Sequence, residues 1–225
     1  MRVGVISDVH ANLVALEAVL DDMPAVDTLV CVGDVVGYNP WPAACVELVR
    51  ENADTTVIGN HDRTLSTPER YRSHRQAHAG LELAAERVSA EQFEWVISRP
   101  RTTTVADGRF ELVHSHPDEM RRGTYVYPDD FSELGEYVED IDVLALGHTH
   151  VQGSQTVEGT LVLNPGSVGQ PRDDDPRAAY AVVDLGSNTP TADLQRVEYD
   201  VERVQDACAE AGLPEETGER LADGE

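Results

Sequence analysis

Apolar residues come in short runs along this chain, and several runs end on a glycine or on a pair of polar side chains. Arg2 to Ser7 (RVGVIS) has the length and β-branched content of a buried strand. After Asp8 and His10 the period changes. Leu13, Leu16, Val19 and Leu20 keep helical spacing behind Asn12, a capping residue, and Pro24 ends the segment. Asp27 to Val32 (DTLVCV) is a second strand that closes on Gly33-Asp34. Asn39-Pro40-Trp41-Pro42 opens a helix with Cys45, Leu48 and Val49 on its apolar face, and Thr55 to Ile58 is a third strand. This β-α-β-α-β order predicts an α/β fold with parallel strands and helical crossovers.

Residues 63–98 carry no strand signal. They are rich in Ala, Glu and Arg and read as a helical insertion that can lie over a site as a lid. Ser89 and Gln92 make a capping box for a short helix at Phe93 to Ile97. His74 and His78 can share a helical face here; solvated surface is the simpler reading. Strands then become dense. Thr102 to Ala106 and Arg109 to Val113 flank Asp107-Gly108, and Val151 to Val157 and Thr160 to Leu163 flank Glu158-Gly159, both hairpin signals. A helix around Phe131 to Val138 precedes the strand Val143 to Leu146. Ala179 to Leu185 and Ala192 to Glu198 flank a Gly186-Ser187-Asn188 turn, and a helix follows from about Val201 to Ala211. Pro214 to Glu225 is acidic and poor in apolar residues, which predicts disorder. With no repeat and no linker, residues 1–212 read as one domain with two sheets and 213–225 as a tail.

Aromatics make up only 5% of the 225 residues, so the core must be built from Val, Leu, Ile and Ala. No apolar run reaches the roughly 18 residues needed to span a bilayer. The first motif at Asp8 leaves no room for a signal peptide, and a cytoplasmic enzyme is the expectation. Cys31, Cys45 and Cys208 have no CxxC spacing and read as small buried hydrophobes. The net charge is −25 and all 17 basic residues are Arg. That balance argues against nucleic acid, whose phosphates would be repelled. It also suggests a halophilic source, because in molar salt a Debye length of roughly 3 Å screens the self-repulsion.

Five polar clusters follow strand-like runs: Asp8-Val9-His10, Gly33-Asp34, Gly59-Asn60-His61-Asp62, His114, and Gly147-His148-Thr149-His150. Open α/β sheets place their sites at the carboxyl ends of strands. Asp8, His10, Asp34, Asn60, His114, His148 and His150 are a mixed oxygen and nitrogen set suited to Mn, Fe, Zn or similar divalent ions. Seven ligands are too many for one ion with an open position and suit two ions sharing a carboxylate. Two ions about 3.5–4 Å apart can hold a hydroxide and bind the oxygens of a phosphate.

These motifs match, in order, those of the calcineurin-like metallophosphoesterases, and over residues 2 to about 185 the chain resembles that family. Gly33-Asp34-Val35-Val36-Gly37-Tyr38 and Asn164 to Arg172 (NPGSVGQPR) are similar to its small prokaryotic phosphodiesterase branch. The resemblance implies a four-layer α/β/β/α sandwich of two mixed sheets with the metals at the sheet edges. It implies that Asp8, His10 and His150 hold one ion, that Asn60, His114 and His148 hold the other, and that Asp34 bridges them. Mn²⁺ stands first among the cations, with Fe, Zn, Ni and Co as further choices. His61 would face the phosphate as the catalytic residue, stabilising charge and protonating the leaving oxygen. The reaction implied is in-line attack by a metal-bridging hydroxide on a small phosphodiester or phosphomonoester.

Two positions depart from the family pattern. Many relatives have Asp three residues after the bridging Asp, where it orients the motif histidine; this chain has Gly37. Asp62 could substitute, although an Asp there is more often a cap. His114-Ser115-His116 replaces a common His-Gly; His114 directly follows its strand and is taken as the ligand, His116 as a supporting or surface residue. Asn12, beside a helix N-terminus, reads equally as a phosphate contact or a plain N-cap. Arg172 reads equally as a phosphate-binding fork or as a surface partner of Asp173-Asp174-Asp175. Arg121-Arg122 reads as a solvated pair. Two other functions compete: a nuclease, for which no basic track is visible, and a non-catalytic binding scaffold, as in a retromer subunit. A homodimer would be ordinary for such a chain.

Overall fold

The computed structural model describes residues 1–186 and 189–225. Its strands in chain order are β1 (Arg2–Ile6), β2 (Thr28–Cys31), β3 (Thr55–Thr56), β4 (Thr102–Val105), β5 (Phe110–Val113), β6 (Val143–Ala145), β7 (Gly153–Val157), β8 (Thr160–Asn164), β9 (Ala178–Asp184) and β10 (Thr191–Val197). They form two five-stranded mixed sheets, ordered β10-β9-β1-β2-β3 and β4-β5-β6-β8-β7. In each sheet three adjacent strands run parallel: β1, β2 and β3 in one, β5, β6 and β8 in the other. Antiparallel strands β9, β10, β4 and β7 complete the sheets.

The side-chain period of two sorts each strand between two cores. Val3, Val5, Val30 and Val32 of the first sheet meet Phe110, Leu112, Val143, Ala145 and Leu163 of the second, forming a layer of aliphatic side chains between the sheets. On the outer face of the first sheet, Ile6, Cys31 and Tyr180 pack under the helices α1 (Leu13–Asp22), α2 (Pro42–Asn52), α4 (Arg75–Arg87) and α5 (Ala90–Ile97). A five-residue helix α3 (Asn60–Thr64) follows β3. On the outer face of the second sheet, Val113, Leu144 and Val162 pack against Phe131 and Leu134. Those two belong to a 3-10 segment, Pro128–Tyr137, where an ordinary helix is expected from the sequence. The four layers are therefore helix, sheet, sheet and 3-10 segment.

Local chemistry explains the boundaries. Asn12 Oδ1 accepts from the Ala15 amide at the start of α1, and Ser89 and Gln92 close a capping box on α5. Glu158 and Gly159 both have positive φ, the backbone that a two-residue β7-β8 hairpin requires. Ser187 and Asn188 of the expected Gly186-Ser187-Asn188 turn lie outside the described residues. Burial raises the pKa of all three free thiols, which keeps them inert. Among the described residues no helix is long and apolar enough to cross a membrane.

The C-terminal segment departs from expectation. After α6 (Val201–Glu210) the chain forms α7 (Glu215–Glu219) and a 3-10 turn, Arg220–Ala222. Leu221 is fully buried with Val204, Cys208 and Leu213. Composition over these residues suggests disorder because one leucine carries nearly all the burial, and only the tertiary fold supplies the pocket that receives it.

Candidate metal centre and active site

All five polar clusters sit in the loops that leave the carboxyl ends of parallel strands. Asp8 and His10 follow β1, Asp34 follows β2, Asn60 and His61 open α3 after β3, His114 follows β5, and His148 and His150 follow β6. The two sheets present these loops to one another across the inter-sheet core. Five of the seven candidate ligands, Asp8, His10, Asp34, His148 and His150, have φ between +45° and +70°. L-residues resist this conformation by about 1–2 kcal/mol each, so the surrounding fold must hold these loops against strain.

Glycine and Asp62 supply part of that hold. A Cβ on Gly59 would stand 1.9 Å from Asp34 Oδ1, so only glycine lets the β2 and β3 loops meet. Asp62 accepts from four backbone amides, those of Asp34, Val35, Val36 and Gly59, at 2.8 to 3.2 Å. It is the clamp between the two loops. It does not touch His61 Nδ1, which is buried with no hydrogen-bond partner. Burial and the charge of Asp34 push Asp62 up to about 6.

The histidines are oriented by main-chain carbonyls. His10 Nδ1 lies 3.1 Å from Val36 O, His114 Nδ1 2.7 Å from Val32 O, and His150 Nδ1 2.6 Å from Gln170 O. A carbonyl can only accept, so the proton of each neutral ring sits on Nδ1 and the Nε2 lone pair faces inward. His148 is turned the other way: its Nε2 lies 3.0 Å from Gly123 O, which leaves Nδ1 inward. Carbonyl partners of this kind are what fixes the tautomer of metal-binding histidines.

The inward atoms converge in two groups. Asp8 Oδ1 lies 3.1 Å from His150 Nε2 and 3.6 Å from His10 Nε2. It is buried without a hydrogen-bond partner. His10 Nε2 and His150 Nε2 stand 3.0 Å apart. Two lone pairs this close repel unless a proton or a cation lies between them. Burial, with the nearby Arg172, pushes His150 down to about 3, which disfavours the proton. In the second group Asp34 Oδ2 and Asn60 Oδ1 lie 3.3 Å and 3.1 Å from His114 Nε2, and His148 completes the set. Asp34 Oδ1 is already taken by the His61 amide at 2.8 Å. Asp34 Oδ2 is the oxygen near both groups, since it also lies 3.7 Å from His10 Nε2. The donor set fits two divalent cations.

His61 sits between aromatic rings. Its centroid is 4.7 Å from Tyr38 and 5.0 Å from Tyr71, with His10 at 4.8 Å. Burial holds its pKa well below the usual histidine value, against the pull of Asp34, so it is a neutral imidazole at pH 7. One of its ring nitrogens lies within 4.8 Å of the inward atoms of His10 and Asp34.

A model of the calcineurin-like phosphoesterase superfamily domain matches residues 1–188. The chain belongs to the calcineurin-like phosphoesterase superfamily. An uncharacterized protein of Methanocaldococcus jannaschii is 32% identical over 97% of this chain and 96% of its own. The crystal structure of a metallophosphoesterase from Sphaerobacter thermophilus is 37% identical, with a TM-score of 0.84 over the full length of both chains. A hypothetical protein of Pyrococcus horikoshii shares the fold at 19% identity, with a TM-score of 0.86 over 100% of this chain and 98% of that one.

Some expectations for this phosphoesterase need correction. Asn12 is fully buried, with both ends of its side-chain amide bonded. Its Oδ1 caps α1 and its Nδ2 donates to Gly169 O, so the N-cap reading is the one the structure takes. His116 is buried away from the site with its ring edge against Tyr137. Arg172, by contrast, turns from the acidic Asp173-Asp174-Asp175 run into the pocket, where its Nη2 donates to Gln170 Oε1 and Tyr38 Oη. The pocket has a volume of about 590 Å³. Residues of the 63–98 insertion, Tyr71, His74 and Arg75 among them, form one wall. His78 instead pairs with Glu82. Sequence reasoning misses Tyr38, Tyr71, Tyr125 and Arg220 in the lining of this pocket. The one available signal is scarcity: the chain has only seven tyrosines, and three of them line this pocket.

Proposed function

We propose that this protein hydrolyses small phosphodiesters or phosphomonoesters with two divalent cations, Mn²⁺ foremost. The observation that carries the reading is the orientation of four histidines by carbonyl oxygens, which turns their second ring nitrogens toward the Asp8 and Asp34 carboxylates. Nothing in a purely structural role requires two imine lone pairs 3.0 Å apart. Asp8, His10, His150 and Asp34 would hold one cation; Asp34, Asn60, His114 and His148 would hold the other. Cations held there would neutralise phosphate oxygens and lower the pKa of water.

The chain's own groups account for the rest. His61 offers a neutral ring N–H to a phosphoryl or leaving oxygen, and the flanking tyrosine rings hold it in place. Arg172 presents a guanidinium whose plane is fixed by Gln170. Water attacks phosphorus in line and gives up one proton, the ester P–O bond breaks with its electron pair going to the leaving oxygen, and that oxygen takes up one proton, so that no net proton is gained. The net charge of −25 and the absence of Lys support work in molar salt.

The test is hydrolysis of p-nitrophenyl phosphate and bis-p-nitrophenyl phosphate side by side, in molar KCl with Mn²⁺ or EDTA. Mn²⁺-dependent cleavage of the diester is expected, and His61→Ala should lower it by ~10²-fold or more while keeping both metals. Folded, metal-loaded protein that cleaves neither ester would overturn the reading.

A further inference from the structure

We propose that Arg172 and Arg220 form a second anion subsite in this pocket, so that the preferred ester carries a second phosphate group beside the scissile one. The proposal rests on the phosphoesterase reading above and deepens it.

The two arginines come from distant parts of the chain. Arg172 follows the loop after β8, and Arg220 is delivered by the C-terminal segment that composition marks as disordered. Both line the pocket that also holds Asp34, Asn60, His61, His148 and His150. The Tyr38 ring centroid lies 5.7 Å from the Arg172 guanidinium carbon and 4.7 Å from the His61 centroid. The cationic group and the histidine are thus one tyrosine ring apart.

The Arg172 guanidinium is held by neutral partners. Arg172 Nε and Nη2 donate to Gln170 Oε1, and Nη2 also to Tyr38 Oη. Arg220 Nη1 donates to Gln76 Oε1 at 3.2 Å, and its Nε donates to the main-chain oxygen of Glu225, whose charge acts on Arg220. Among the described residues, Arg172 Nη1 and Arg220 Nη2 have no hydrogen-bond partner. No carboxylate side chain lies within 4 Å of either guanidinium, whereas Arg50, Arg75, Arg109, Arg177 and Arg196 each have one. Burial, and after it the charge of Arg172, lowers the pKa of Arg220, so the two like charges feel one another.

Half-buried like charges that share one pocket, with no carboxylate side chain against them, repel one another, and an anion between them relieves that cost. Free N–H donors on two planar forks suit a phosphate, which can take several charge-assisted hydrogen bonds at once. The pocket volume of about 590 Å³ exceeds what one phosphate group needs and leaves room for a molecule with two charged ends.

The experiment is calorimetric titration of the Mn²⁺-loaded protein with alkane diphosphonates of two to five carbons and with the monophosphonates of the same length. These ligands contain no hydrolysable ester. At one chain length the diphosphonate should bind at least about tenfold more tightly than its partner, as expected for one or two added charge-assisted contacts. Arg220→Gln should reduce that ratio to below about threefold. Gln76→Glu keeps Arg220 in place and should reduce the ratio as well, because a carboxylate would then occupy its guanidinium. The exposed Arg203→Ala should leave the ratio unchanged. Equal binding of both ligands at every length, or a ratio that survives both substitutions, overturns the subsite alone. Failure of the monophosphonates and diphosphonates alike overturns the phosphoesterase reading and the subsite with it.

Discussion

Gly37 faces His61 so closely that a Cβ at position 37 would stand 2.4 Å from His61 Nδ1. The family pattern with Asp three residues after the bridging Asp would therefore require the His61 ring to move. The histidine is held by rings and burial instead of by a carboxylate, and its Nδ1 has no partner. Gly37 also has φ +99°, a backbone that side chains disfavour. Gly37→Ala should displace the imidazole and lower turnover more than it lowers metal content. Steady-state rates beside metal analysis of the same preparation would show this; unchanged turnover would mean that the His61 position is not critical.

Asp62 is the acceptor for four buried amides, and its replacement is expected to be among the most destabilising in the chain. Each buried donor left unpaired costs roughly 1–3 kcal/mol. Asp62→Ala should lose more than about 4 kcal/mol, at the upper end for a single substitution. Asp62→Asn, which keeps one acceptor oxygen, should lose less. Urea unfolding of both variants separates the clamp role from catalysis, since an Asp62 that served only as a partner of His61 would leave stability intact.

Metal uptake should release protons. Burial alone would lower the His114 pKa, but the charges of Asp34 and Asp8 outweigh it and raise the group to about 10 in the metal-free protein. A folded value above the usual histidine value of about 6.5 stabilises the fold fully below that pH. That contribution is lost as pH rises through about 10. The melting temperature of EDTA-treated protein should fall between pH 7 and 10. Mn²⁺-loaded protein, with His114 already deprotonated as a ligand, should show a flatter profile. At pH 8 loading should release about one proton from this residue, measurable by calorimetry in buffers of different ionisation enthalpy. Identical profiles for the two forms would remove His114 from the ligand set.

Deleting residues 214–225 should lower the melting temperature. Leu221 is fully buried against Val204, Cys208 and Leu213, and burial of one leucine contributes roughly 1.5–3 kcal/mol. Differential scanning fluorimetry of the shortened and full chains measures the difference. No change would support the disorder that composition suggests.

The sequence by itself determined the strands, the order β-α-β-α-β, the Ser89–Gln92 capping box and the Glu158-Gly159 hairpin. It also marked Asp8, His10, Asp34, Asn60, His61, His114, His148 and His150 as one constellation. These are local features: a period of two or 3.6, a cap, a turn residue, and polar side chains directly after apolar runs. Tertiary structure alone decided how the constellation is oriented. Carbonyls of Val32, Val36, Gly123 and Gln170 set the histidine tautomers, and a carbonyl is present at every position of a chain, so no residue type announces it. The same holds for the amide of His61, which takes one oxygen of Asp34, and for the two ends of Asn12. It holds above all for Arg220, brought to the pocket from 48 residues beyond Arg172 by the burial of one leucine. Long-range placement depends on which hydrophobic surfaces meet, and a one-dimensional pattern does not contain that information.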